Sequence, residues 1–151
     1  MKFYKGLLLF LFINFSALAI GTWLMNDGPR TEWYINLNQA PWSPPGWVFG
    51  VAWSSIMILF SVYMTFLIQV NKSKKVIGLF SAQFLLNVIW NYLFFNQHLI
   101  ILGLLNILIL TVLMFYFLFA FKDSLKNNRF YVLPYCIWLV LATSLNLYIA
   151  L

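Results

Sequence analysis

Apolar residues run along this chain in five long blocks, each interrupted by few polar positions and separated by short breaks. A helix needs roughly 20 apolar residues to cross a hydrocarbon core of roughly 30 Å. Residues 5–25, 44–70, 75–95, 99–121 and 130–150 each meet that length. They predict an all-α membrane protein, a single five-transmembrane-helix bundle over residues 1–151, with no room for a soluble domain. Inside the blocks the polar and small residues fall at helical spacing. Ala17 and Gly21 stand four apart in the first, and Gly46, Gly50 and Ser54 repeat that spacing in the second. Small residues let helices approach closely in lipid. Gly46-x-x-x-Gly50 therefore serves either packing within the bundle or a contact between two copies. Beside it, Phe49, Trp53, Ile56 and Phe60 form an aromatic and apolar stripe.

The third block carries Gln83, Asn87 and Asn91 at i, i+4 and i+8, flanked by Trp90 and Phe94. Carboxamides in hydrocarbon are costly unless partnered, so this face must look inward. Any one of them suits a helix-to-helix hydrogen bond, and the set suits a polar patch facing a cavity. The fourth block, with Gly103, Asn106 and Thr111, reads as scaffold. In the fifth, Pro134, Trp138, Ala142 and Leu145 share a face, and Pro134 is tolerated in a first turn.

The longest break joins the first two blocks and is the densest in aromatics. Residues 31–53 hold four tryptophans, a tyrosine and three prolines. Asp27-Gly28-Pro29 marks a turn, and Thr31 is placed to cap a short helix over residues 32–38, with Glu32 near its positive end. Ala40-Pro41 is held extended. Ser43-Pro44-Pro45 predicts a helix that starts at Pro44 under a Ser43 cap. The expected result is an aromatic-rich lid over the bundle.

Composition agrees with this reading: 64% of residues are hydrophobic and 8% charged, with a mean hydropathy of +0.89, against about a quarter charged in soluble chains. The net charge of +6 does not indicate nucleic acid. Lys2, Lys5, Lys72, Lys74, Lys75, Lys122, Lys126 and Arg129 all fall on one side of a five-span topology, and Arg30 alone falls on the other. That bias places the N-terminus in the cytoplasm and the C-terminus outside, in a cell membrane of bacterial type. Lys2, Lys5 and Ala17-Leu18-Ala19 also resemble a secretory signal with its cleavage site. The apolar run, however, continues through Trp23, Leu24 and Met25, long enough for a full span.

The chemistry that remains is narrow. No Asp, Glu, Lys, Arg or His lies in the middle of a block, which removes the relays and counter-charges that pumps and ion-coupled carriers use. One His, one Cys and three acids build no three- or four-ligand metal site, and no cofactor is expected. No Ser-His-Asp set, paired carboxylates or phosphate loop is present, and no repeat relates the halves. Trp23, Trp33, Trp42 and Trp47 suit an interfacial belt. Trp53, Trp90 and Trp138 lie deeper. Deep indoles beside carboxamides make a pocket for a flat, apolar ligand carrying a few polar groups.

At this point the residues match a known pattern. Trp33-Tyr34, Pro41-Trp42, the run from Pro44 to Trp53, Gln83, Leu86-Asn87, Trp90, Phe94-Phe95, Pro134-Tyr135, Trp138, Ala142 and Leu145-Asn146 stand in the right order on the right helices. The chain resembles the translocator protein family, the tryptophan-rich sensory proteins also called peripheral-type benzodiazepine receptors. The resemblance implies a five-helix bundle, usually a homodimer, whose first loop covers a pocket that opens on that loop's side. It implies binding of porphyrins such as protoporphyrin IX, of sterols and of isoquinoline carboxamides. The ligand-binding residues it implies are Tyr34, Pro44, Phe49, Trp53, Asn87, Asn91, Phe94, Trp138, Ala142 and Leu145. Trp53 and Trp138 match the two indoles linked to light-dependent porphyrin breakdown. Asn91 departs from the small hydroxyl residue frequent in the family, which is expected to narrow the pocket. No basic residue follows Leu145 and Tyr148, which lowers the expectation of sterol. The resulting reading is a tetrapyrrole receptor or sensor in the lipid bilayer, against a porphyrin-degrading enzyme and a porphyrin or lipid translocator.

The charge split makes a direct prediction. Single cysteines at Gln39 and Ser73 should label from opposite sides of the membrane; equal labelling of both from outside contradicts the topology.

Overall fold

The computed structural model describes residues 2–151 and is helical almost throughout. Five helices are long and apolar enough to cross a membrane. They are α1 (Phe3–Leu24), α3 (Gly46–Val70), α4 (Lys74–Asn91), α5 (Ile100–Ala120) and α7 (Leu133–Ala150). Two short helices interrupt the loops, α2 (Glu32–Ile35) in the lid and α6 (Lys122–Leu125) before the last span. Spatial order differs from chain order. α1 packs on α3 and α4, α4 on α5, and α5 on α7, while α7 closes back on α3 along a narrower contact.

The element ends follow local chemistry, and in four places they correct the sequence reading. The second span starts at Gly46, not Pro44, and Ser43 does not cap it. Pro44 precedes a proline and is steered away from helical geometry, and Pro45 is extended, with ψ 152°. The Ser43 hydroxyl turns back and donates to Ala40 O at 2.7 Å. Thr31 does cap α2, accepting from Tyr34 N at 3.3 Å, but α2 ends at Ile35 rather than Asn38. There Gln39 Nε2 takes the Tyr34 carbonyl at 2.9 Å, satisfying a C-terminal acceptor that further helix would have used. The third span reaches Asn96 through one π-helical turn, Tyr92–Asn96. The last begins at Leu133 after a 3-10 stretch, Lys126–Val132, with Pro134 in its first turn where no hydrogen bond is lost.

The core lies at the end of the bundle away from the lid. Ile56, Met57, Phe60, Tyr63 and Met64 of α3 meet Met114 and Phe117 of α5 and Tyr135 and Leu139 of α7, all buried. Phe60 stands edge-on to both Phe117 and Tyr135, at 5.9 and 5.3 Å. Several polar side chains are partnered across helices, as a medium without water favours, while Asn14 Oδ1 and Trp138 Nε1 are buried without a partner among the described residues. Asn14 Nδ2 donates to Ser61 Oγ at 2.8 Å and ties α1 to α3. Asn106 Nδ2 donates to Leu86 O at 2.8 Å, α5 to α4. Tyr63 Oη donates to Phe117 O at 2.6 Å, α3 to α5.

The two small-residue faces have opposite fates. Gly21 packs tightly on α4, where an added Cβ would lie 2.5 Å from Asn91 Nδ2, and Ala17 is buried. At Gly46 and Gly50 a Cβ meets no atom within 4 Å, so this stripe packs no helix within the chain. Thermal unfolding followed by circular dichroism should separate them. Gly21→Leu should lower the melting temperature, since overpacking costs about 1–3 kcal/mol. Gly50→Leu should leave helix content and melting temperature near the parent's.

Candidate functional site

The space between α1, α3, α4 and α7 on the lid side is a cavity of about 510 Å3, within the usual range for small-molecule sites. Its floor is the top of the core. The α3 stripe divides there: Ile56 and Phe60 are buried below, while Phe49 and Trp53 line the cavity wall. On α7 the same division puts Tyr135 in the core and Trp138, Ala142 and Leu145 on the wall. Phe49 stands edge-on to Trp138 with centroids 5.4 Å apart, and Trp53 edge-on to Tyr135 at 5.8 Å. Aromatic quadrupoles favour that arrangement, by about 0.5–1.5 kcal/mol a pair.

The carboxamide stripe of α4 splits between two roles. Asn87 Nδ2 donates to Tyr135 Oη at 2.7 Å, and that hydroxyl donates to Gln83 Oε1 at 3.1 Å. Gln83 is thus consumed as an interhelical hydrogen bond below the cavity. Asn87 and Asn91 both line it. Asn91 Nδ2 also bonds back to Asn87 O at 3.3 Å and lies against Gly21, so its bulk occupies the side of the cavity next to α1. Trp90, on the next face, donates Nε1 to Asn146 Oδ1 at 3.1 Å.

The π-turn at the end of α4 buries two consecutive rings. Phe94 and Phe95 both face inward, Phe94 stacked on Trp90 at 5.1 Å. Tyr34 comes down from the lid edge-on to Phe94 and tilted against Phe95, at 6.4 and 5.3 Å. Burial raises the Tyr34 hydroxyl above the ordinary tyrosine value, so it stays protonated and able to donate. It is the one titratable side chain among the described lining residues.

The lid is fastened at both ends by two of the tryptophans expected in the interfacial belt. Trp33 stacks on His98 of the α4–α5 loop, with centroids 3.9 Å apart and planes 6° from parallel, and sits edge-on to Phe94. Trp42 donates Nε1 to Ser144 Oγ at 3.0 Å and meets the Tyr148 ring edge-on. Both rings find protein partners, although Trp42 remains 51% exposed. Trp23 and Trp47, 77% and 72% exposed, keep the belt position.

All ten residues named from the sequence, Tyr34, Pro44, Phe49, Trp53, Asn87, Asn91, Phe94, Trp138, Ala142 and Leu145, line this one cavity. Sequence reasoning missed an α1 wall of Leu18, Thr22 and Met25, which do share an i, i+4, i+7 face. It also missed Gln39 in the lid and Ile107 and Leu110 of α5, the helix read as scaffold. Those two carry no polar mark that separates them from lipid-facing neighbours.

Comparison with known proteins agrees with the architecture. A 115-residue stretch is 31% identical to a tryptophan-rich sensory protein of Cereibacter sphaeroides, covering 76% of this chain and 73% of that one. Protein CrtK of Rhodobacter capsulatus is 33% identical over 120 residues, covering 76% and 74%. The human translocator protein is 26% identical over 125 residues, covering 79% and 73%. The family model described as TspO/MBR matches residues 9–151, and the chain, a multi-pass membrane protein with five apolar helices, belongs to that family.

Proposed function

We propose that the protein is a membrane receptor of the sensory type that binds tetrapyrroles, or other flat apolar molecules, in the cavity beneath the lid. The carrying observation is the cavity itself: about 510 Å3, walled by Phe49, Trp53, Phe94 and Trp138, edged by Asn87 and Asn91, with no charged side chain on its lining. Such a wall favours a flat aromatic body and meets its few polar groups with neutral donors and acceptors. The sensory name carried by the Cereibacter relative fits the same reading. The charge pattern supports a lid and C-terminus outside and a cytoplasmic N-terminus, and the proposal takes the membrane to be a bacterial cell membrane. A homodimer completes the proposal, on the family resemblance. A second reading, light-dependent porphyrin breakdown, draws on one observation: Trp53 and Trp138 line the same space, where both would face a bound macrocycle.

Fluorescence titration with protoporphyrin IX tests the pocket. In the dark, Trp53→Phe and Trp138→Phe should each weaken binding by less than about tenfold, since one edge contact supplies about 1 kcal/mol. Trp53→Ala and Trp138→Ala should weaken it considerably more. Indifference of affinity to both alanine variants would show that the ligand lies elsewhere. Under light, bleaching no faster than for free porphyrin, in parent and variants alike, removes the breakdown reading and leaves the receptor.

Because burial keeps Tyr34 neutral, no lining group changes charge between about pH 5 and pH 9. A porphyrin dimethyl ester, whose propionates no longer ionise, should therefore bind with constant affinity across that range. A step in affinity near neutral pH would mean that a titrating group outside the lining controls the site.

A further inference from the structure

We propose that ligands enter this cavity sideways from the bilayer, through a gap between α1 and α3, while the lid stays fastened; the inference rests on the cavity being the binding site. Four walls are tied at cavity height. α1 meets α4 through Gly21 against Asn91 and through Asn96 Nδ2 donating to Leu24 O at 2.8 Å. α4 meets α5 through Asn106 and Leu86 O. α5 meets α7 through Asn146 Nδ2 donating to Ile100 O at 3.3 Å and through the Thr111–Thr143 hydroxyl pair at 3.1 Å. α7 meets α3 through the Phe49–Trp138 and Trp53–Tyr135 ring pairs.

The fifth wall is different. α1 and α3 are joined by Asn14 and Ser61, and nearer the N-terminus of α1 by Phe3 and Phe66. Among the described residues no hydrogen bond or ring contact links the two helices on the lid side of that pair. Gly50 lies eleven residues before Ser61, or roughly 16 Å along the helix. There the added Cβ at Gly50, and one turn higher at Gly46, meets nothing within 4 Å. Thr22, Gly46 and Gly50 line the cavity and are also solvent-exposed residues, which fits a mouth at this wall.

The rim chemistry names what the mouth faces. Trp23 and Trp47 follow Thr22 and Gly46 directly and are the two most exposed indoles among the described residues. Belt indoles sit at headgroup level, so the gap begins there and runs down into hydrocarbon. The lid, by contrast, is shut by the Trp42–Ser144 hydrogen bond and the Trp33–His98 stack. The ligand class is therefore one that partitions into lipid before it binds, with a body thin enough to pass between two helices.

The gap is testable without any ligand. Gly50→Cys labelled with bimane, in vesicles of phosphatidylcholine, should be quenched by brominated acyl chains and only weakly by aqueous iodide. Iodide quenching alone makes the opening aqueous and overturns the proposal. Protection from both means that another surface, such as a second copy, covers the gap, and overturns it too. Stopped-flow transfer of protoporphyrin IX from the same vesicles then reads the route. Gly50→Trp and Thr22→Trp, from opposite rims, should each slow uptake and release several-fold, since a narrower mouth hinders both directions. Ser144→Ala, which loosens the lid, should leave uptake unchanged. Uptake that ignores both rim variants and quickens in Ser144→Ala places the entrance at the lid. If the parent binds no porphyrin while brominated lipid still quenches Gly50→Cys, the ligand assignment fails and the lateral opening stands.

Discussion

Hydrocarbon offers no hydrogen-bond partners, and the polar side chains of this bundle sit where that constraint allows. Asn14, Gln83, Asn87, Asn106 and Asn146 are all buried in spans, and each is bonded to a neighbouring helix or to a side chain on one. In lipid such bonds are worth about 1 kcal/mol each, modest as energy but directional. Asn14 selects Ser61, Asn106 selects the Leu86 carbonyl, and Asn146 stands between Trp90 and the Ile100 carbonyl. Together they set which helices are neighbours. The apolar surfaces of these helices are too uniform to do so, since lipid tails are as apolar as leucine.

The cavity is the complement of that arrangement. Large side chains fill the bundle at the end away from the lid, where Phe60, Tyr63, Met114 and Phe117 interlock. Toward the lid α3 and α7 change to Gly46, Gly50 and Ala142, and the rings beside them stand edge-on across a space instead of filling it. Tyr135 marks the boundary. Its hydroxyl closes the core by joining Asn87 to Gln83, and its ring carries Trp53 on the cavity side.

For Trp23, Trp42, Trp47 and Trp90 the polar end of the indole separates two roles. An indole at the membrane surface keeps its N–H in the headgroup region, as the exposure of Trp23 and Trp47 requires. Trp42 and Trp90 donate theirs to Ser144 and Asn146 and so fasten the lid and α4 to α7. The lid is thus held by a few directional contacts on its rim. Within the lid itself two side-chain bonds fix its local shape, the Thr31 cap on Tyr34 N and Gln39 Nε2 donating to the Tyr34 carbonyl.

The five spans, the single bundle, the Thr31 cap and the inward-facing α4 stripe follow from local rules, because span length and polar spacing are properties of one helix at a time. The ten residues named for the pocket came from the resemblance, and the structure brings them round one cavity. Other features depend on what a side chain meets, and no single segment carries that information. Whether Gly21 or Gly50 packs a helix depends on which neighbour stands opposite: Asn91 in one case, open space in the other. Gln83 and Asn87 have the same spacing and chemistry, yet only Asn87 reaches the cavity, because Tyr135 lies between them. Pro45 displaced the start of α3 through a local restriction on Pro44, and Ser43 turned back to Ala40, three residues away in the same turn, so that correction was local as well. Helix existence was therefore decided along the chain; helix order, the division of the stripes between core and cavity, and the gap between α1 and α3 were decided only when the helices met.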